Sequence, residues 1–188
     1  MTEKRKPDNR SWFKTVIIML GLIFVLWILE YIAFITYFFL GVIHFHEGKF
    51  DLAITDFTKA IQLKSQFPEP FYNRGVAYHK KGKYDLAVID YTKAIQLKPD
   101  LIEAYINRGV IYLNEGKFNL AIADFTKAIQ IKPNVAEAYF FRGLAYKKKG
   151  EIDKAIIDFK KAKDIDNKSK IKKKIEQELK KLEEIVKH

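Results

Sequence analysis

The apolar positions of this chain follow two different rules. Between Val16 and Phe45 they run almost unbroken, and apart from two tyrosines only Glu30 and His44 are ionisable. Beyond Phe45 they recur at helical intervals, separated by lysine, aspartate and glutamate. The first rule fits a helix solvated by lipid, and the second fits helices that bury one face.

A helix from Trp12 to Tyr31 would be about 29 Å long, close to the hydrocarbon thickness of a bilayer. Trp12 stands at one end and Trp27 and Tyr31 at the other, where amphipathic rings favour the interface. A cleaved signal peptide has a shorter apolar core and a small-residue cleavage site, and no Ala-x-Ala pattern follows here. A soluble helix apolar on every side would need a far larger protein around it. A longer span reaching Phe39 or Leu40 would place Glu30 inside the bilayer at about 2.5–3.5 kcal/mol. About twenty apolar residues at roughly −0.3 to −0.6 kcal/mol each outweigh that cost. The expectation is a basic flank over 1–14 and a single transmembrane helix over 15–33, with Glu30 near the far interface. Lys4, Arg5, Lys6, Arg10 and Lys14 precede the span, whereas only Lys49 and Lys59 follow it before residue 60. The positive-inside rule then places the N-terminus in the cytoplasm and the rest of the chain on the opposite side, as for a bacterial inner-membrane protein facing the periplasm.

The second region repeats. Gly41, Gly75, Gly109 and Gly143 are separated by thirty-four residues, as are Gly48, Gly82, Gly116 and Gly150. The same step links Ala53, Ala87, Ala121 and Ala155, then Ala60, Ala94, Ala128 and Ala162, with Phe57, Tyr91, Phe125 and Phe159 between them. Tyr78, Tyr112 and Tyr146 form another series, in which His44 holds the first place. A period of this length marks stacked supersecondary units. Each unit reads as two helices: Phe71, Gly75 and Tyr78 share one face, Gly82 ends that helix, and Ala87, Tyr91 and Ala94 face it from the second. Gly75 with Ala87 and Ala94 predicts a close approach of two backbones, and Pro99 and Pro133 each close a unit.

The pattern aromatic–x3–Gly–x2–Tyr…Gly…Ala–x3–Phe–x2–Ala…Pro resembles the tetratricopeptide-repeat (TPR) family in four copies, over residues 34–67, 68–101, 102–135 and 136–169. Copy four has Asn167 in place of the proline, and copy one has His44 for the tyrosine and Ser65 for the proline. Its first helix, around Tyr37-Phe38-Phe39-Leu40-Gly41, is positioned to continue from the membrane span. Ile171, Ile175, Leu179, Leu182 and Val186 lie at helical spacing in the tail, 170–188, and predict a capping helix with a lysine-rich outer side at Lys172, Lys173, Lys174, Lys180 and Lys181. The fold class expected is all-α: a transmembrane helix, a right-handed α-solenoid of about four TPR helix pairs, and a C-terminal cap.

The resemblance implies a ligand surface on the concave side, lined by the first helix of each pair. Alignment on the glycines places Tyr72, Asn73, Val76, His79 and Lys80 there in copy two. Copy three supplies Ile106, Asn107, Val110 and Leu113, and copy four Phe140, Phe141, Leu144, Lys147 and Lys148. These are apolar centres with a polar or basic edge, suited to a segment carrying apolar and acidic side chains. One TPR subclass clamps the C-terminal carboxylate of heat-shock chaperones with two lysines, two asparagines and an arginine. Only Asn73 matches that set; Phe38, Val42, Glu103 and Asn107 occupy the other four places.

Charge and chemistry change this picture little. Arg74, Arg108 and Arg142 share one register and Asp56, Asp90, Asp124 and Asp158 another, which predicts ion pairs between neighbouring helices rather than an anion site. The net charge of +11 comes from lysines spread along most of the chain, so a nucleic-acid or anionic-lipid surface ranks below a solvated one. The chain has no cysteine, which removes thiolate sites and disulfides. His44-x-His46 is not the i, i+4 zinc pair, and each repeat glycine belongs to a helix boundary or contact, leaving no phosphate loop. Asn9-Arg10-Ser11 and Asn167-Lys168-Ser169 match the glycosylation sequon. No enzyme, cofactor, metal or small-molecule substrate is expected. The partner class is a protein or peptide segment, with a fixed place in a larger membrane complex, or self-association, as the second reading.

Overall fold

A computed structural model describes residues 9–166 and 171–186, with side chains over 12–166 and 171–182. Lys4, Arg5, Lys6, the Asn167-Lys168-Ser169 sequon and the side chains of Asn9, Arg10 and Val186 lie outside the described residues. Within them the chain forms nine α-helices and no strand. It divides into two compact units, one ending at Ser65 and the other starting at Gln66.

The first unit holds α1 (Asn9–His46) and α2 (Phe50–Leu63). At 38 residues α1 is about 57 Å long. Its two halves live in different surroundings. From Trp12 to Leu29 nearly every side chain is exposed. From Phe34 onward α2 runs back along the helix, covering Phe34 and Gly41 and bringing Phe57 to 6.1 Å from Phe38. At the junction Lys64, just past α2, sits 3.2 Å from Glu30 and 5.9 Å from the Trp27 ring. The apolar segment and the first helix of copy one are thus a single unbroken helix.

The second unit contains three further pairs and a last helix: α3 (Pro68–Lys80) with α4 (Tyr84–Leu97), α5 (Ile102–Asn114) with α6 (Phe118–Ile131), α7 (Ala136–Lys148) with α8 (Ile152–Ile165), and α9 (Lys172–Val186). Each first helix ends in the same way. Gly82 takes φ +72°, its N–H reaches the His79 carbonyl at 3.0 Å, and the Lys83 N–H reaches that of Tyr78 at 2.9 Å. This pair of bonds satisfies carbonyls the helix leaves open, and it needs the left-handed residue that glycine supplies most cheaply.

Packing between the two helices of a pair rests on a ring laid against a bare backbone. A Cβ built on Gly109 would fall 2.8 Å from Phe125, and one on Gly75 would fall 2.9 Å from Tyr91. Ala121, Phe125 and Ala128 are all fully buried, the alanines letting the helices close on the ring. Beside each glycine an arginine fixes the same interface. Arg108 donates from Nε and Nη2 to both Asp124 carboxylate oxygens, at 2.9 and 2.7 Å, and from Nη1 to the Thr92 hydroxyl of the preceding pair at 2.8 Å. Arg142 repeats this with Asp158 and Thr126, and Arg74 holds Asp90 at 2.7 and 2.8 Å. Burial works against the arginine charge, yet the facing carboxylates outweigh it and raise the pKa of Arg74 and Arg108. The arginine series is a structural set of ion pairs, as its register predicts.

The last pair would expose an apolar face, and α9 covers it. Ile175, Leu179 and Leu182 bury onto Phe140, Ala155, Phe159 and Ala162, while Lys172, Lys173, Lys174, Lys180 and Lys181 face solvent.

Two substitutions test the packing. Gly109→Ala forces a methyl into the Phe125 ring and is expected to cost about 1–3 kcal/mol. Arg108→Ala strands the buried Asp124 carboxylate and is expected to cost about 3–5 kcal/mol, whereas Arg108→Met with Asp124→Leu recovers most of the loss. Denaturant unfolding of the full chain in detergent, followed by circular dichroism, measures both.

Candidate functional site

In the second unit α3, α5 and α7 lie side by side and form one surface. The Asn107 amide donates to the Tyr72 hydroxyl at 3.2 Å, joining α5 to α3, and Phe141 stacks on Phe125 at 5.8 Å, joining α7 to α6. The concave-surface residues expected from sequence sort by burial. Ile106 and Phe140 are 6% and 4% exposed and belong to the packing between helices rather than to a reachable surface. Tyr72, Asn107, Val110, Leu113, Phe141 and Leu144 are half-buried; Val110, Leu113 and Phe141 lean on the α5–α6–α7 core. Val76 packs likewise on the α3–α4 core, and Asn73 turns back to donate to the Glu69 carbonyl at 3.0 Å. His79, Lys80 and Lys147 form the basic edge. His79 meets the Tyr84 ring edge-on at 5.5 Å, and burial, then Lys80, hold its pKa below the ordinary value. Lys147 is bound to Glu178 of α9 and so is committed within the fold. Near this edge a depression is lined by Leu113, Asn114, Phe118, Leu144 and Lys148.

One row of this surface is not among the residues expected from sequence. Glu69, Glu103 and Glu137 stand one turn before Tyr72, Ile106 and Phe140, on the same helical face. All three are exposed, and among the described residues none has an ion-pair partner. Burial pushes the Tyr72 phenol up, and the charges of Glu103 and Glu137 add to that shift. Desolvation alone raises the Glu137 carboxyl. The thirty-four-residue step links these glutamates as it links the glycines, so the sequence does carry a signal. It is easy to miss because the family pattern assigns them no packing role.

The groove also lacks a carboxylate clamp. Asn73 is spent on its own helix, and Glu103 sits where the clamp lysine would. Among the described residues no three histidine or acidic side chains gather as metal ligands.

Stacked helix pairs, a left-handed glycine at each hairpin and a capping last helix define an α-solenoid scaffold, a fold that serves protein–protein interaction. A tetratricopeptide-repeat profile matches residues 68–101, 102–135 and 136–169, and a TPR-repeat profile matches 41–82. The chain belongs to the tetratricopeptide-repeat family. Its fold is shared with a crystal structure of MamA, 32% identical, covering 70% of this chain and 77% of that one with a TM-score of 0.68. The first TPR of Spaghetti (RPAP3), solved bound to the HSP90 peptide SRMEEVD, is 26% identical over 66% of this chain and 97% of that one, with a TM-score of 0.61. TTC0263, a thermophilic TPR protein of Thermus thermophilus, shares the fold at 23% identity, 79% and 80% coverage and a TM-score of 0.62. No curated protein matches the chain.

The sorting of groove residues has a measurable consequence. Phe140→Ala empties a site shared by α7, α8 and α9 and is expected to cost about 3–5 kcal/mol. Lys80→Ala, at the rim, should stay within about 0.5 kcal/mol of the parent in the same unfolding assay.

Proposed function

We propose that this protein is a single-pass, membrane-anchored adaptor whose repeat groove holds a segment of a partner protein. One observation carries the reading: the first helix of copy one continues unbroken into an apolar stretch, Trp12–Leu29, almost all of whose side chains are exposed. Eighteen residues of helix span about 27 Å, which suits a bilayer core. The Lys64–Glu30 pair and the neighbouring Trp27 ring suit the membrane–water boundary, where charges stay hydrated and indole favours the headgroups. On this reading α2 stands outside the lipid, and the span ends where α2 begins to cover α1. Lys4, Arg5, Lys6 and Arg10 before the stretch, with Lys14 at its first turn, favour a cytoplasmic N-terminus with the repeats on the other side, facing the periplasm of a bacterial inner membrane.

The groove supports the binding half of the proposal. Its floor is half-buried and apolar at Val76, Val110 and Leu144, and its two edges carry opposite charge. Such a surface orients a peptide as well as holding it. The role is scaffolding rather than catalysis, in keeping with the TPR family generally.

Protease treatment of sealed vesicles of known sidedness tests the arrangement. Cleavage within the repeats only from the non-cytoplasmic face, with the chain retained after an alkaline wash, is the expected result. Release by the wash would remove the anchor, and cleavage from the cytoplasmic face would reverse the orientation.

A further inference from the structure

We propose that α1 pairs in parallel with α1 of a second copy of this chain, along the helix face that α2 leaves uncovered. The inference rests on the apolar segment being a membrane anchor and adds what covers the helix where it leaves the lipid.

The two sides of α1 differ. On one, the rings of Phe24, Trp27, Tyr31, Phe34 and Phe38 follow one another at 5.9–6.4 Å. This side turns to α2, which buries Phe34 and sets Phe57 against Phe38. The other side carries Leu29, Ile32, Thr36, Phe39 and Ile43, at alternating steps of three and four, and continues at that spacing down to Ile18. Ile32 and Phe34 are two residues apart, about 200° around the helix, so this stripe points away from α2. Its members from Leu29 to Ile43 are all exposed. Alternating steps of three and four form the seam of paired helices. Within the apolar segment every face is apolar, so the stripe is defined by what happens past Glu30. There Ile32, Phe39 and Ile43 are each more than half exposed, with Leu40 beside them. On the anchor reading the lipid ends near the Glu30–Lys64 pair, so these side chains stand in water. A contiguous apolar patch in water marks an interaction site.

Continuity, charge and depth each point to another copy of α1 as the occupant. The stripe passes from the lipid to the water side on one unbroken helix. A helix that covers both parts must cross the membrane and stay apolar for about 20 Å beyond it, the rise of the thirteen or so residues after Glu30. α1 itself meets that specification. Charge agrees. In a symmetric pair each residue lies near its own counterpart, so any charge on the seam would meet its like. The chain has a net charge of +11, yet between Val16 and Phe45 the ionisable groups other than tyrosine are Glu30 and His44. Glu30 pairs with Lys64 and His44 with Asp56, both toward α2, and the stripe is left uncharged. Depth agrees as well. Two copies inserted in the same direction bring Ile32 level with Ile32 and Ile43 with Ile43, so the seams meet in register. The pair then presents two repeat arrays on one face of the membrane.

The chain has no cysteine, so single cysteines report the pairing directly. Ile32→Cys and Phe39→Cys are introduced separately into the full chain, each made as two differently tagged copies in one cell, and the membranes are oxidised. A disulfide-linked product carrying both tags is expected at both positions, because facing seam residues lie within disulfide reach. Leu52→Cys, on the exposed side of α2, should stay monomeric. Ile43→Asp added to Ile32→Cys sets two carboxylates against each other and should lower the yield about tenfold. Ile43 is exposed and faces away from α2, so the circular dichroism of the purified chain should not change. Absence of the two-tag product at both positions, in membranes that keep the chain through an alkaline wash, overturns the pairing and leaves the anchor. A Leu52→Cys yield equal to the others, or a yield indifferent to Ile43→Asp, means random collision and overturns the pairing too. Release of the chain by the wash overturns the anchor, and the pairing with it.

Discussion

Everything in the repeats depends on a ring pressed against a backbone that carries no side chain. Phe125 on Gly109, Tyr91 on Gly75 and Phe159 on Gly143 set how closely the two helices of each pair approach. At that distance the adjacent arginine can reach the aspartate of the second helix with both of its parallel donors. In Arg108 the remaining donor reaches the threonine of the pair before. The order of causes matters. A wider helix pair would pull Asp124 out of bidentate reach and leave a buried charge poorly compensated, a worse outcome than having no ion pair. Close packing therefore comes first, and the electrostatic link between successive pairs is its consequence.

The first unit shows what happens when one part of this device is exchanged. Gly41 still receives the Phe57 ring, with a built Cβ only 2.6 Å away, but the neighbouring position is Leu40 rather than arginine. Asp56 nevertheless remains buried and has a partner. His44, in the place of the usual tyrosine, bonds it at 2.7 Å from Nδ1. The loss of the arginine and the gain of the histidine are thus one compensated change. It exchanges a permanently charged partner for one whose charge depends on protonation, in the unit that carries the apolar segment.

Much of the architecture was legible because packing imposes a period. Helix ends, the ring–glycine contacts and the Arg–Asp pairs all recur at thirty-four residues, and each has a steric or electrostatic reason to do so. The unbroken passage from apolar segment to repeat was legible too, since between Gly21 and Gly41 there is no glycine or proline to stop a helix. The groove was harder. Periodicity marks Ile106 and Phe140 as facing inward from their helices, but not whether a neighbouring helix has already buried them. That depends on how successive pairs stack and, for Phe140, on α9. Register alone offers Lys147 to a ligand, whereas the fold gives it to Glu178, 31 residues away in α9 and outside the repeat series.

The division between legible and illegible positions has a functional reason. Residues that hold the solenoid together must repeat, because every pair solves the same packing problem. Residues on the open surface are released from that problem. Glu69, Glu103 and Glu137 belong to no core cluster and complete no ion pair among the described residues, so folding does not require carboxylates there. Positions that packing leaves open carry no steric signature, so periodicity alone says little about what they do.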